Sequence, residues 1–354
     1  MKKLTLLLLF LSHLAFSQDD KFLSEEVDYW NTVDSVHIFG TLTMPKTGSK
    51  FPAVLLITGS GPQDRDETLF GHKPFKVIAE YLSNRGFVVL RVDDRGTGKT
   101  TLGKNPKSVT TENFVKDVLS GVEFLKIRKE INPQKIGLIG HSEGGMIAPM
   151  VANQTKDVAF IVSLAGTGVP GYVVTHNQTE TILLKSGVDS LKAKEQLAFN
   201  DKLIGLMMSE NDNKIFEEKL TTEINGMSDE LKTKFGFKGM EKAVIAQVKS
   251  QNIPWTKFFM KHDPAMDWQQ VKVPVLALNG TKDTQVAFDL HLPAIEKALK
   301  NGGNTQYKIV KLQDLNHLFQ HAETGLVNEY ATIKEDFAPE ALQIMGDWLT
   351  EITK

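Results

Sequence analysis

Gly137-Leu-Ile-Gly-His-Ser-Glu-Gly-Gly145 is the stretch from which the rest of the chain can be ordered. An apolar strand runs into Gly140-His141-Ser142-Glu143-Gly144, and an apolar helix, Met146 to Val151, follows at once. A sharp strand-to-helix turn of this kind holds its serine in a strained backbone conformation with the hydroxyl exposed. Glycines two residues to either side let neighbouring segments pack close. Ser142 is therefore the candidate nucleophile. A glycine-rich turn with an incidental serine is the bland alternative, and the strand before and helix after tell against it.

Outward from this turn, strands and helices alternate. Phe51 to Thr58, Phe87 to Val92 and Val158 to Ala165 are continuous apolar runs, as expected of strands buried on both faces. Between them, Pro74 to Tyr81 and residues 112–127 carry apolar residues at helical spacing. The pattern predicts crossover helices and a mostly parallel, doubly wound α/β sheet. An opening hairpin is expected from Val27–Trp30 and Val36–Phe39. The core resumes with the strand Val273 to Gly280, a helix from Ala287 to Lys300, the strand Gln306 to Leu312, and a closing helix that packs Leu342, Met345 and Trp348.

The intervening stretch, residues 168–263, has a different character. It shows no convincing strand, is rich in lysine and glutamate, and has helical periodicity broken at Asn211-Asp212-Asn213 and Gly226. It reads as a helical cap inserted over the carboxyl edge of the sheet, leaving 18–167 and 264–354 as the core. Met207, Met208, Met227, Met240, Trp255, Phe258 and Phe259 are candidates for an adaptable apolar pocket, although packing within the insert accounts for most of them.

Composition narrows the chemistry. There is no cysteine, which excludes disulfides, thiolate metal sites, a cysteine nucleophile and a lipid-modified cysteine. The formal charge of -2, with 41% hydrophobic and 24% charged residues, gives no sign of a nucleic-acid partner. Residues 1–17, with Lys2 and Lys3, an apolar run and Ala15-Phe16-Ser17, read as a secretory signal too short to anchor in a bilayer. Its removal predicts an exported protein, periplasmic or secreted, with no stable membrane span. Two Asn-x-Thr matches, at Asn153 and Asn177, are weak. Gly98-Lys99-Thr100 imitates the end of a phosphate-binding loop, but Asp93 stands where that motif needs glycine. Arg95 or Asp94 is expected to tie this turn to a neighbouring loop instead. No histidine and carboxylate cluster has zinc-ligand spacing, and oligomeric state is not legible.

Ser142, Asp283 and His317 each stand at the carboxyl end of an expected strand, in the chain order nucleophile, acid, histidine. That order and placement belong to α/β-hydrolases. His321 is an alternative base and Asp314 or Asp289 an alternative acid. His141 is expected to pack behind the turn, and His262 with Asp263 to mark the end of the insert.

Thr58-Gly59-Ser60-Gly61-Pro62-Gln63-Asp64-Arg65-Asp66, Asp94-Arg95-Gly96-Thr97-Gly98, Gly140-His141-Ser142-Glu143-Gly144-Gly145, Leu278-Asn279-Gly280-Thr281-Lys282-Asp283 and Leu315-Asn316-His317-Leu318-Phe319 together resemble the EstD-like bacterial carboxylesterases. These are α/β-hydrolases close to serine aminopeptidases and dienelactone hydrolases. The resemblance implies a Ser142, Asp283 and His317 triad acting on small, short-acyl esters without a cofactor or metal. The chain differs from typical dienelactone hydrolases, which use cysteine, and has Thr58-Gly59 where a His-Gly pair is common. The expected oxyanion donors are the backbone N–H groups of Ser60 and Glu143. An aminopeptidase or amidase on the same fold, or a non-catalytic binding protein, are the alternatives.

Overall fold

The apolar runs are strands covered by helices on both faces. In the computed structural model, which describes residues 22–354, β1 (Phe22–Asn31) and β2 (Val36–Pro45) form an antiparallel hairpin. Then come β3 (Phe51–Ile57), α1 (Pro74–Asn84), β4 (Val88–Val92), α2 (Thr111–Lys126), β5 (Ile131–His141), α3 (Glu143–Ala152) and β6 (Phe160–Leu164). The signal sequence expected over residues 1–17 lies outside the described residues. The hairpin is longer than the sequence alternation suggests, because main-chain pairing runs from Phe22 opposite Pro45 to Asn31 opposite Val36.

Residues 168–263 contain helices throughout: α4 (Gly171–Lys185), α5 (Ser190–Ser209), α6 (Asn213–Gly226), α7 (Asp229–Lys234), α8 (Glu241–Gln251) and α9 (Pro254–Lys261). A short α10 (Pro264–Trp268) leads back to β7 (Val275–Gly280), α11 (Phe288–Asn301), β8 (Tyr307–Leu312) and α12 (Pro339–Ile352). The sheet order is β1-β2-β4-β3-β5-β6-β7-β8, parallel from β4 to β8, with the hairpin antiparallel at one edge. Among the described residues, no helix is long and apolar enough to cross a membrane.

Strand periodicity divides the core. Ala53, Leu55 and Ile57 of β3 join a cluster on the face of α2, α3 and α11, while Val54 and Leu56 join a second cluster on the face of α1 and α12. At ~1.5–3 kcal/mol for each large apolar side chain removed from water, continuous apolar strands are stable only with both faces covered. The helical insert has its own small core of Leu203, Met207, Phe216, Leu220, Ile224 and Phe237. That is where Met207 goes, with Met227 packed against it, whereas Met240 is exposed.

Candidate active site

Ser142 occupies the turn between β5 and α3 with φ 53° and ψ -114°, a conformation L residues seldom adopt and one that costs ~1–3 kcal/mol. Its N–H donates to the Leu164 carbonyl at 2.9 Å, and its carbonyl accepts from the Gly145 N–H at 3.0 Å. The flanking glycines are sterically required: a Cβ on Gly140 would lie 2.0 Å from the Gly144 carbonyl oxygen, and one on Gly144 would lie 2.1 Å from that of Ile57. The strain is thus held by close main-chain approach.

The loops after β7 and β8 bring Asp283 and His317 together. Asp283 Oδ2 accepts from His317 Nδ1 at 2.8 Å, while Oδ1 accepts from the N–H groups of Gln285 and Val286 at 2.8 and 2.9 Å. Both side chains are buried. With Nδ1–H committed to the carboxylate, a neutral His317 carries its lone pair on Nε2. Ser142 and His317 line the same cavity of ≈ 400 Å³. The alternatives lie elsewhere. Asp314 faces Lys282 at 3.2 Å, and Asp289 is exposed at the start of α11. His321 is exposed and bonded to Glu335 and Glu340.

The loop after β3 closes one side of the cavity. A Cβ on Gly59 would lie 3.2 Å from the Ser142 Cβ and 3.1 Å from Glu67 Oε1, a tight fit that a larger residue would make only by moving its neighbours a few tenths of an ångström. Thr58, standing where a histidine is common, donates from Oγ1 to Asp94 Oδ1 at 2.8 Å, and Asp94 Oδ2 accepts from the Gln63 N–H at 3.0 Å. Burial pushes the Asp94 carboxyl well up from its usual range. Arg95 pairs with Asp34 and Asp117, so both residues tie the turn after β4 to its neighbours, as their sequence context suggests. Ser60 lines the cavity beside Glu143. As the first residue of α3, Glu143 has an N–H with no partner inside the helix.

Two residues behind the serine form a pair that sequence reasoning missed. Glu67, buried and itself at φ 51°, accepts on Oε1 from the Gly59 N–H at 2.6 Å and from His141 Nδ1 at 2.9 Å. His141 Nε2 donates to the His317 carbonyl at 2.9 Å. Both ring nitrogens face oxygen atoms, an arrangement that favours the protonated ring beside a Glu67 carboxylate. Burial opposes that charge most strongly, but the Glu67 carboxylate, the His317 carbonyl and the more distant Asp283 carry the net shift of His141 upward. The His141 and His317 rings sit 4.7 Å apart. One ion pair thereby joins the Gly59 loop, the serine turn and the His317 loop.

Removing one partner of such a pair is costly even where the intact pair adds little net stability. Glu67→Gln is expected to destabilise the protein by ~1–3 kcal/mol, measured by urea unfolding. The sign of the pH dependence follows from the raised His141 value. Its contribution is complete below the unfolded histidine value and is lost as pH rises through the folded one. The stability gap between parent and Glu67→Gln should therefore narrow from neutral to alkaline pH. A constant gap would show that His141 carries no charge.

Glu143 also acts through its side chain. Oε1 accepts from Thr111 Oγ1 at 2.7 Å and from Trp255 Nε1 at 2.8 Å, so the residue after the serine holds helix α9 of the insert. Burial raises the Glu143 carboxyl, against hydrogen bonds from Thr111, Trp255 and Ser60. Of the aromatic and methionine side chains singled out in the insert, Trp255 and Phe259 line the cavity, joined by Met260. Phe258 packs against the core beneath and stacks on His262, which bonds Asp267 just past the end of the insert.

A family model described as X-Pro dipeptidyl-peptidase (S15 family) matches residues 34–310. The chain belongs to the S15 family. In this S15 member the match spans Ser142 and Asp283 and ends before His317. The chain is 28% identical over 298 residues to esterase EstD of Thermotoga maritima, an alignment covering 80% of this chain but 58% of that relative. It is 35% identical over 125 residues to an acyl transferase of Shewanella woodyi, covering 35% of this chain and 37% of the relative. Among solved structures, an esterase of Pyrococcus furiosus superposes with a TM-score of 0.56 at 14% identity, covering 95% of this chain and 94% of the other. A hypothetical protein of Pseudomonas aeruginosa gives 0.54 at 16%, covering 99% of each. The S15 chain has the α/β-hydrolase fold, and its sequence likeness is to EstD.

Sequence periodicity gave no sign of Glu67. It follows Asp64-Arg65-Asp66 and looks like one more solvated acid, and its partner His141 is distant in the chain. Its position in a loop directly after a glycine-rich turn at a strand's carboxyl end was the available signal.

Proposed function

We propose that this S15 member is a serine hydrolase that cleaves small carboxylic esters, with Ser142 as nucleophile, His317 as general base and Asp283 as the group that orients it. The supporting observation is the His317 Nδ1 to Asp283 Oδ2 bond of 2.8 Å, with His317 sharing a cavity with a conformationally strained Ser142. In this reading His317 Nε2 takes the Ser142 proton as Oγ attacks the ester carbonyl. The backbone N–H groups of Ser60 and Glu143 receive the developing oxyanion, the second at a helix N-terminus whose dipole favours negative charge. His317 then protonates the leaving alkoxide, and water, deprotonated by the same imidazole, releases the acid.

The family's description also admits cleavage at aminoacyl bonds. Ester cleavage is preferred because the acids lining the cavity are engaged. Glu143 is held by Thr111 and Trp255, and Glu67 by Gly59 and His141, its second oxygen being inaccessible. Neither is open to a substrate ammonium. Nitrophenyl esters of increasing acyl length, assayed beside aminoacyl and X-Pro anilides, test the choice. Hydrolysis of acetyl and butanoyl esters with little anilide cleavage is expected, and dominant anilide cleavage would overturn the ester reading.

We further propose export, with the mature chain beginning at or near Gln18. N-terminal sequencing of protein from the native host checks this, and a start at Met1 would refute it.

A further inference from the structure

A second cavity adjoins the one that holds Ser142. It is a groove of ≈ 840 Å³ between the Ser60-Gly61-Pro62 loop, the region of Val109 and Phe114, and the start of α9 at Ile253 and Pro254. Ser60, Gln251 and Trp255 line both spaces, whereas Ser142 and His317 line only the first. Trp255 is fixed at two points between them. Its Nε1 donates to Glu143, and its ring stacks on Phe259 with centroids 5.5 Å apart and planes 13° from parallel.

We propose that Trp255 limits the length of the acyl chain, and that the groove behind it is an acyl-tail subsite closed off by the indole. This rests on the ester reading above. The general acid must reach the leaving oxygen, so the alcohol portion of a bound ester lies on the His317 side of the carbonyl carbon. The acyl chain therefore departs in the other direction, past the Ser60 loop, which is the direction of the groove. Pro62, Val109, Phe114, Ile253 and Pro254 give the groove an apolar wall suited to a hydrocarbon chain, with Asp94, Arg95 and Lys107 also on its lining. With the indole in place, a chain of a few carbons fits within the Ser142 cavity and a longer one meets Trp255.

The test compares nitrophenyl acetate, butanoate and decanoate by kcat/KM and takes the decanoate-to-butanoate ratio, which cancels any uniform loss of activity. Trp255→Ala and Trp255→Leu should each raise that ratio ~10-fold or more, since each apolar methylene accommodated is worth about that much. Trp255→Phe, which keeps a large ring and loses the N–H, should stay near the parent ratio. Adding Val109→Trp to Trp255→Ala should refill the groove and return the ratio toward the parent value. An unchanged ratio in folded Trp255→Ala or Trp255→Leu overturns the proposal. So does an equal rise in Trp255→Phe, or a rise that survives Val109→Trp. A parent protein inactive on every ester removes both this inference and the ester reading. A parent active on short esters whose ratio does not respond to Trp255 removes this inference alone.

Discussion

Ser142→Ala is expected to fold as the parent does and to lose at least ~10³-fold in ester turnover, the residue of activity coming from oxyanion stabilisation and substrate binding. The change removes one oxygen. The Ser142 N–H bond to Leu164 and the carbonyl bond to Gly145 are main-chain interactions that alanine retains. The cost of φ 53° is already met by the packing of Gly140 and Gly144, so a folding defect is not the expected source of the loss. A serine-directed phosphonate should label Ser142 and no other serine, as read by mass spectrometry. Near-parent hydrolysis by a folded Ser142→Ala protein, or labelling elsewhere, would remove Ser142 from the chemistry.

Asp283→Asn should cost ~10²- to 10⁴-fold while leaving the fold intact. The Asn oxygen can still accept from Gln285 and Val286, but its amide then presents a donor to His317 Nδ1. That favours the tautomer with the proton on Nε2, which cannot accept from serine. The loss should be partly relieved at high pH, where hydroxide assists. Asp314→Asn and His321→Ala are the controls, because Asp314 is turned to Lys282 and His321 is exposed against Glu335 and Glu340. Both should retain turnover close to the parent's. If either is as damaging as Asp283→Asn, with circular dichroism showing a folded protein, the acid or the base has been assigned to the wrong residue.

Most of the architecture was legible in the chain because it rests on short-range signals. Continuous apolar runs at Phe51, Phe87, Gly137, Val158 and Val273 mark strands covered on both faces, and Gly140 and Gly144 mark a turn that needs close main-chain approach. The pairing of Asp283 with His317 was one of several combinations that chain order allowed. It became specific only where the loops after β7 and β8 meet, since both carboxylate oxygens of Asp283 are occupied there and Asp314 Oδ1 faces Lys282.

By itself, then, the sequence determined the strand-turn-helix setting of Ser142, the parallel sheet and the helical character of residues 168–263, because each depends on the pattern of residues near one another in the chain. Only the tertiary structure decided that His141 lies between Glu67 and the His317 carbonyl, and that Glu143 holds Trp255 of the insert. The physical reason is the same for both. A charged or polar side chain looks alike in sequence whether it is solvated or buried, and its protonation and role are set by partners that folding brings from distant segments.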